Sequence, residues 1–344
     1  MHMLFIHQFP DWTHFRFDTR RVLDALGETR LLEGRLIGTM NMCGLGKTEN
    51  EILASDIVAN FAMDGHDLDL DAIQKEVELR SQAKQNFVKN YLGAIVNSAM
   101  PLTAERLFNW HASMSPSKSM RLRETPSRIE FSNGDSTYVF DGPSPERLET
   151  EVENFIKWFE TSTMDGVIKA AITHFWFLTL RPFNDANGRV ARTLMAMQLA
   201  RAEKTTHCQY ALNVQMVQNR AEYFCILNRT QCGNGDLTEW ILWFLGQLQN
   251  AIKATEKRIA PQIQRTAYTC LHAGTPTSER EQTLINAVMA GSLPKNFTAK
   301  DAAGLFGTSH DTALREIQSL IEKGLVKASP KGGRSQKYAL AESV

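Results

Sequence analysis

The sequence predicts a mostly α-helical protein that ends in a winged helix-turn-helix. Apolar residues recur at helical spacing through most of residues 1–260, and one pair of short alternating segments around Asn133-Gly134 is typical of a β-hairpin. The pattern changes after a Gly- and Pro-containing linker at 274–278, where helices are followed by two short strands. The chain of 344 residues is long enough for two or three domains.

Residues 1–100 are expected to form an N-terminal helical domain. Leucine, isoleucine and valine residues lie at helical spacing over 20–40 and again over 51–61. The second of these helices should end near Asp64-Gly65, because glycine tolerates the left-handed conformation that often follows the last turn of a helix.

Residues 101–260 are expected to form a helical core that includes the hairpin. The helix predicted over 164–180 carries no charged side chain after Lys169 unless His174 is protonated, so we expect it to be central and buried. The other elements predicted in this range are hairpin strands over 128–131 and 137–140 and helices over 144–160, 188–201, 215–230 and 237–259.

Residues 280–344 are expected to form the winged helix-turn-helix. Its predicted elements are helices over 280–290, 298–305 and 309–323 and strands over 325–328 and 337–340. Three helices followed by a two-stranded wing are typical of this DNA-binding module.

The composition is that of an ordinary globular protein. Hydrophobic residues make up 43% of the chain and charged residues 22%, which excludes a disordered or fibrous chain. Lys+Arg and Asp+Glu number 38 each, so any site for a polyanion must be local. Five scattered cysteines, no signal peptide and no membrane-spanning stretch predict a cytoplasmic protein that does not contact a membrane.

The segment from Arg181 to Arg192 has the composition of a phosphate site. Gly188 opens a predicted helix, and the first turn of a helix directs unpaired N–H groups and a positive dipole toward one point. Arg189 and Arg192 lie on one face of that helix, where each guanidinium can donate to phosphate oxygens. Asp185 is placed to hold Mg²⁺ between phosphates. The alternative is a polar connection between two core helices with surface arginines.

The same segment resembles the signature of Fic-domain proteins, His-Pro-Phe-x-(Asp/Glu)-Gly-Asn-Gly-Arg-x-x-Arg. The matching residues are Pro182, Phe183, Asp185, Asn187, Gly188, Arg189 and Arg192, whereas Ala186 replaces the first glycine. Segments such as 107–111 and 240–245 resemble the same family, and the winged helix of one bacterial subgroup ends in Gly-Gly-Arg-Ser-x-x-Tyr, as at 332–338. The resemblance therefore implies a Fic-fold helical core with a β-hairpin flap.

This resemblance implies transfer of AMP from ATP to a hydroxyl group of a target protein. The residues it assigns to the nucleotide are Asp185 for Mg²⁺, Asn187 and Gly188 as the phosphate cradle, Arg189 and Arg192 on the outer phosphates, and Tyr223 beside the adenine. The hairpin near Arg123–Phe131 would align the target by strand addition.

Arg181 stands at the signature position of the catalytic histidine, the general base that takes the proton of the target hydroxyl. A guanidinium stays protonated at working pH, so Arg181 cannot be that base. His174 lies seven residues earlier, about two helical turns or ~10 Å along the axis, which makes it a poor substitute. Loss of a general base typically costs about 10²–10⁴-fold in rate, so we expect transfer to be impaired or lost.

Residues 60–65 resemble the family's autoinhibitory motif, (Ser/Thr)-x-x-x-Glu-(Gly/Asn), whose glutamate pairs with the second arginine of the signature. Here Asn60 replaces the hydroxyl residue, Asp64 replaces the glutamate and Gly65 matches. Because aspartate is one methylene shorter, a pair between Asp64 and Arg192 is expected to reach less far and to inhibit less tightly. The alternative is an ordinary acidic helix end.

The predicted wing is locally basic. Five basic residues and no acidic residue lie from Lys323 to Lys337, and such a wing can follow a phosphate backbone while the helix 309–323 enters the major groove. The candidate DNA contacts are Ser309, His310, Lys331 and Arg334. The basic excess is modest for a DNA-binding domain, so a protein-interaction or dimerisation module stays open as the alternative.

Taken together, the sequence predicts a Fic-type protein of the AMP-transferase family that binds ATP and Mg²⁺ but transfers AMP poorly or not at all. The expected partners are ATP, an unidentified target protein and DNA, with a homodimer as a further expectation. Two alternatives stay open: a DNA-binding regulator whose degenerate core senses a nucleotide, and altered chemistry, such as removal of AMP or transfer of a different group.

Overall fold

The computed structural model describes residues 4–43, 46–133, 136–330 and 336–341. Helices dominate these residues, which confirms the predicted mostly α-helical class. The chain divides into two compact units, Met1–Lys257 and Arg258–Val344. The expected division into three domains, with a boundary near residue 100, stays a prediction.

The elements follow the chain in simple order. The first helices are α1 (Thr19–Cys43), α2 (Gly46–Ala62), α3 (Leu70–Leu79), α4 (Asn86–Val96) and α5 (Ala104–Met114). After the strands β1 (Arg128–Asn133) and β2 (Ser136–Asp141) come α6 (Leu148–Thr161), α7 (Gly166–Leu180), α8 (Asn187–Glu203), α9 (Leu212–Gln218), α10 (Arg220–Gln231) and α11 (Thr238–Leu271). The last elements are α12 (Glu279–Ala290), β3 (Phe297–Thr298), α13 (Ala299–Phe306), α14 (His310–Glu322), β4 (Val326–Ala328) and β5 (Lys337–Leu340).

Two of the predicted elements were wrong in extent, and one short strand was missed. The helix expected over 215–230 is broken at Asn219, because its side-chain amide donates to the carbonyl of Gln215 at 3.0 Å and so caps the end of α9. The helix expected to end at Ile259 continues through Pro261 to Leu271, since a proline removes one helical hydrogen bond without ending every helix. The two-residue strand β3 was too short to be recognised from alternation.

Helices α7 and α8 form the buried centre of the first unit. Every residue of α7 from Val167 to Leu180 is buried, as predicted for this segment. The two helices approach so closely that a Cβ atom on Gly166 would lie 2.6 Å from the Cβ of Ala202. The chain between them forms the turn that carries the signature residues.

A buried polar network fixes α2 against its neighbours. Asp56 of α2 accepts hydrogen bonds from the Tyr91 hydroxyl at 2.6 Å and from the backbone N–H of Asn213 at 2.7 Å. The Asn213 side chain also donates to Asp56 at 2.9 Å. Because Tyr91 lies on α4 and Asn213 on α9, the network holds α2 in place, and the chain that follows α2 contacts the start of α8.

The hairpin of β1 and β2 is confirmed, with its turn shifted slightly. The strands pair in antiparallel register from Arg128 opposite Asp141 to Asn133 opposite Ser136. Gly134 and Asp135, which join them, lie outside the described residues. Asn228 of α10 donates to the carbonyl of Val139 at 3.1 Å, so β2 is attached to the helical core.

Glu203 at the end of α8 makes stability depend on pH. Burial raises the pKa of Glu203 to about 8, although the Tyr210 hydroxyl donates to its carboxyl group. A carboxyl group whose pKa is raised by folding stabilises the folded state below its unfolded pKa, and this stability is lost as the pH rises through the folded pKa. We therefore expect the free energy of unfolding to fall by more than ~1 kcal/mol between pH 6 and 8.

Glu203→Gln is the test of this expectation, because glutamine keeps an oxygen acceptor for Tyr210 and cannot titrate. Chemical denaturation at pH 6 and pH 8 should show a smaller pH dependence in the variant than in the parent chain. Parallel pH profiles for the two proteins would remove Glu203 as the cause.

The described part of the second unit contains the end of α11, the helices α12, α13 and α14, and a small antiparallel sheet in the strand order β3-β5-β4. Its core includes the fully buried Leu284, Phe297, Ile317 and Leu320. Buried Glu281 of α12 accepts hydrogen bonds from Lys323 at 2.6 Å and from Ser319 at 2.7 Å, which joins α12 to the end of α14. The segment 331–335 lies outside the described residues, so the expected winged helix-turn-helix stays a prediction.

Candidate active site

The turn between α7 and α8 is closed by the side chain of Asn187. Its amide oxygen accepts from the backbone N–H of Phe183 at 3.0 Å, and its amide nitrogen donates to the Phe183 carbonyl at 2.8 Å. Phe183 is fully buried, so the turn is anchored in the core. Asn187 therefore holds the turn that presents the first residues of α8 to a cavity.

This cavity has a volume of about 340 Å³. Of the expected site residues, it is lined by Asp64, Arg181, Asn187, Gly188, Arg189, Arg192 and Tyr223. The opposite wall is apolar and comes from the hairpin, α7 and α10: Ile129, Phe131, Tyr138, Phe140, Leu178, Phe224 and Leu227. The cavity thus combines guanidinium groups with aromatic side chains, which suits a ligand with a planar ring and an anionic tail.

Asp64 joins both arginines of the signature. Its Oδ2 accepts from Nε of Arg189 and its Oδ1 from Nη2 of Arg192, each at 3.0 Å. Burial raises the pKa of Asp64 and the two guanidinium groups lower it, with a net shift below the usual value. The expected pair with Arg192 is therefore present, because the turn after α2 brings Asp64 against the start of α8. That it inhibits less tightly than a glutamate stays a prediction.

Asn60 holds Arg192 from the preceding turn of α2. Arg192 donates from Nε to Oδ1 of Asn60 and from Nη2 to the Asn60 carbonyl, both at 2.7 Å. Both residues are almost completely buried. Gly65 follows Asp64 with φ +80°, a conformation that favours glycine, and so ends this segment.

Gly188 leaves room for these contacts. A Cβ atom at this position would lie 3.0 Å from Nη1 of Arg192 and 3.0 Å from Oδ1 of Asp64. Arg189 is held further by the carbonyl of Met114 and lies over the ring of Phe61, 5.3 Å from its centroid. The start of α8 is therefore packed against α2 and α5 at the guanidinium groups.

Arg181 ends α7 in the left-handed conformation, with φ 46° and ψ 59°. Its Nε donates to the Ser127 hydroxyl at 2.9 Å, and its carbonyl accepts from Nε of Arg123 at 2.7 Å. Burial and the charge of Arg123 lower the pKa of Arg181 to about 10. Arg181 thus lines the cavity as a cation, as the sequence predicts.

His174 is unsuited to replace the missing histidine. It is completely buried, stacks on Trp240 and shares a 3.0 Å hydrogen bond with the Tyr223 hydroxyl. Burial, with the charge of Arg192, lowers its pKa to about 3. It is absent from the cavity lining among the described residues.

Asp185 lies in the turn with both carboxylate oxygens engaged. Oδ1 is 3.0 Å from Nε2 of His111, and Oδ2 accepts from the Ser115 hydroxyl at 2.9 Å. Nδ1 of His111 faces the carbonyl of Ser119 at 2.8 Å, so the imidazole ring is held between this carbonyl and Asp185.

Asp185 fits a Mg²⁺ site that draws most of its ligands from phosphate and water. Each carboxylate oxygen has two lone pairs, so one per oxygen remains beside the hydrogen bonds to His111 and Ser115. Asp185 is not among the residues that line the cavity in the described part of the chain, and no cluster of three metal-ligating side chains was found there. Asp185 would therefore supply one carboxylate ligand to the ion, and phosphate and water oxygens would supply the others.

The expectation for Arg123 was wrong. Arg123 precedes the hairpin, is 2% exposed, and donates to the carbonyls of Arg181, Thr125 and Pro143, so it braces the turn instead of facing a target. The hairpin itself begins at Arg128.

The cavity also contains Arg220, which the sequence analysis missed. Its guanidinium lies 5.4 Å from the ring centroid of Phe131 and 5.0 Å from that of Phe224, and Nε donates to the Met63 carbonyl at 3.3 Å. Phe131 and Phe224 stack at 4.3 Å. These contacts join the hairpin, α10 and the turn that carries Asp64, and no periodicity in the sequence signals them.

The expected DNA contacts are only partly described. The Ser309 hydroxyl caps α14 by accepting from the N–H of Thr312 at 3.3 Å, and His310 lies exposed beside Asp311. Lys331 and Arg334 lie outside the described residues. DNA binding stays an expectation of the sequence.

Comparison with known protein families identifies a domain in the middle of the chain. Residues 101–199 match the model of the Fic/DOC family. The chain contains a Fic domain. Residues 5–80, which precede the Fic domain, match a domain of unknown function (DUF4172).

The Fic domain resembles two curated relatives over part of their length. It is 30% identical over 98 residues to protein adenylyltransferase fic-1 of Caenorhabditis elegans, which is 28% of this chain and 18% of the relative. It is 32% identical over 113 residues to protein adenylyltransferase Fic of Nematostella vectensis, or 31% of this chain and 25% of the relative. The matched segment is thus at most a quarter of these relatives.

Solved structures support the Fic fold. A Fic family protein from Desulfovibrio desulfuricans superposes with a TM-score of 0.57 at 16% identity, covering 94% of this chain and 96% of that one. A Fic-1 fragment from Caenorhabditis elegans gives a TM-score of 0.50 at 18% identity, covering 70% and 73%. Among the described residues, no helix combines the length and the apolar character needed to cross a bilayer.

Proposed function

We propose that the Fic domain binds ATP with Mg²⁺ in the cavity at the start of α8, and that its transfer of AMP to a target hydroxyl is impaired or lost. The observation that carries this proposal is that Arg181, Arg189 and Arg192 line the same cavity as several aromatic and aliphatic side chains. The names of the two curated relatives, both protein adenylyltransferases, support AMP transfer as the reaction.

In this proposal the start of α8 holds the phosphates. The N–H groups of its first turn and the side chains of Arg189 and Arg192 would replace the contacts that Asp64 now makes. Mg²⁺, held by Asp185, would screen the phosphate charge. Tyr223 and the apolar wall would contact the base.

The site lacks a group that can remove the proton of the target hydroxyl. Arg181 stays protonated at neutral pH although burial lowers its pKa to about 10, so it cannot take the proton of a target hydroxyl. His66 is the histidine that lines the cavity among the described residues, but it follows the turn that carries Asp64 and does not stand at the end of α7, where the signature has its base. Binding should therefore survive where transfer does not.

Asp64 would act as an inhibitor by occupying both arginines. A triphosphate can reach them only when the ion pairs at 3.0 Å break, so Asp64 competes with the ligand's terminal phosphates. Asn60 strengthens this competition because it holds Arg192 in the same position.

Titration calorimetry with ATP and Mg²⁺ tests the proposed site. We expect binding to the parent chain and a loss of about tenfold or more for Arg189→Ala, since a charge-assisted hydrogen bond contributes about 1.5–3 kcal/mol. Arg35→Ala is the matched control, because Arg35 is an exposed arginine that pairs with Glu256 away from the cavity. Equal affinity of the Arg189→Ala variant and the parent would remove the phosphate assignment.

A further inference from the structure

Arg181 differs from the other two signature arginines in its partners. Asp64 neutralises Arg189 and Arg192, whereas Arg181 forms no salt bridge within the described residues. The hydrogen bond from its Nε goes to the uncharged hydroxyl of Ser127. The charge of Asp64 raises the pKa of Arg181, but the salt bridges of Asp64 go to Arg189 and Arg192, so Arg181 has no carboxylate in direct contact.

The neighbours of Arg181 make this arrangement costly unless an anion is bound. Arg123, which donates to the Arg181 carbonyl, adds a second positive charge beside it. Burying a cation without a partner is unfavourable, and an anion that enters the cavity removes much of that cost. At neutral pH Arg181 remains charged, so the unbalanced charge persists.

The position of Arg181 is also fixed. Its backbone N–H donates to the Phe177 carbonyl at 3.0 Å, and Arg123 and Ser127 hold the carbonyl and Nε. A guanidinium with a fixed Nε loses little side-chain entropy when its two terminal nitrogens bind an oxyanion. These contacts hold the guanidinium of Arg181 in position before an anion binds.

We propose that Arg181 is a phosphate ligand, and that it allows the cavity to hold a nucleoside monophosphate while Asp64 still occupies Arg189 and Arg192. This inference rests on the proposed nucleotide site and names the ligand class of its inhibited state. A single phosphoryl group needs one guanidinium without a carboxylate partner, and Arg181 supplies it beside the turn that leads into α8, whereas the guanidinium of Arg220 lies against the rings of Phe131 and Phe224. A triphosphate needs Arg189 and Arg192 as well, and so needs Asp64 to leave.

Because the aromatic wall can stack on a base, the favoured ligand is a nucleotide, and free phosphate should bind more weakly. Arg181 stands where the signature has its general base. It would thus allow the site to bind a nucleotide without converting it. No bond is formed or broken in this state.

Titration of the full chain with AMP, adenosine and inorganic phosphate tests the inference. We expect AMP to bind the parent more tightly than either adenosine or phosphate. Arg181→Gln, which removes the charge and the terminal guanidinium nitrogens but keeps a polar amide, should weaken AMP binding about 10- to 100-fold. Arg35→Ala should leave AMP binding unchanged, because Arg35 pairs with Glu256 and does not line the cavity. Arg189→Ala should weaken AMP binding less than Arg181→Gln does, because Asp64 occupies Arg189.

ATP binding to an Asp64→Ala variant separates the two proposals. If ATP binds that variant while AMP affinity of the parent is unchanged by Arg181→Gln, the role of Arg181 is wrong and the nucleotide site stands. If AMP binding falls with Arg189→Ala instead, the phosphate lies on Arg189 and the inference is overturned. If neither nucleotide binds any variant, both proposals fail. Thermal unfolding of Arg181→Gln confirms that its fold is retained.

Discussion

Arg181→His is expected to produce AMP transfer in a chain that we expect to transfer little or none. With ATP labelled on the α-phosphate, the parent should leave little or no label on itself or on lysate proteins. Histidine has an unperturbed pKa near ~6.5 and restores a group that can accept the hydroxyl proton, so label should rise about 10²–10⁴-fold. Adding Asp64→Gly should raise it further, because it frees Arg189 and Arg192 for the phosphates.

The backbone at residue 181 favours this replacement. Arg181 has φ 46°, and histidine is more common than most side chains in the left-handed region. The side chain lines the cavity at the end of α7, next to the turn that would hold the phosphates. The exchange therefore needs no change in the path of the chain.

Two outcomes would contradict this expectation. Strong labelling by the parent, abolished by His174→Ala, would make the buried His174 the base in spite of its lowered pKa. If the Arg181→His, Asp64→Gly double variant transfers no label, the Fic domain differs from an active one at residues other than Arg181. That result would favour a regulator that only senses nucleotide. Arg189→Ala added to the double variant is the control, because it should abolish any label that depends on phosphate binding.

The sequence predicts the part of the site that is local in the chain. Arg181, Gly188, Arg189 and Arg192 lie within one helix–turn–helix segment, so helical spacing and a glycine-containing turn were enough to place them together. The buried α7 was equally predictable, because a long uncharged segment has no exposed face.

The contact between Asp64 and α8 could not follow from periodicity. Asp64 and Arg192 are 128 residues apart, and the pair was expected only through the resemblance of residues 60–65 to a known motif. Its geometry depends on how α2 is held by Asp56, Tyr91 and Asn213, which is a property of the assembled core.

Contacts between distant polar residues were missed for the same reason. His111 and Ser115 orient Asp185 from α5 and the residue that follows it, and Arg220 joins Phe131 to the turn after α2. Each of these residues is ordinary in its local sequence. Arg123 shows the opposite error, since a residue assigned to the target-binding hairpin proved to be a buried brace for Arg181.

Arg192→Met is expected to lower the free energy of unfolding of the first unit by about 3–5 kcal/mol. Arg192 is 1% exposed and satisfies both Oδ1 and the carbonyl of Asn60, which is itself completely buried. Methionine fills similar space but leaves these two oxygens without a donor. Asp64 would keep Arg189, so most of the loss should come from Asn60.

Chemical denaturation followed by tryptophan fluorescence measures this effect in the full chain. All six tryptophans precede residue 258, so the signal reports the first unit alone. Arg35→Ala should change the free energy by less than ~1 kcal/mol, because its pair with Glu256 is exposed. A loss below ~1 kcal/mol for Arg192→Met would show that α2 is held to α8 by its apolar contacts and the Asp56 network. In that case the contacts of Asp64 and Asn60 with Arg192 would contribute little to the free energy of unfolding. Their effect would be limited to the nucleotide site.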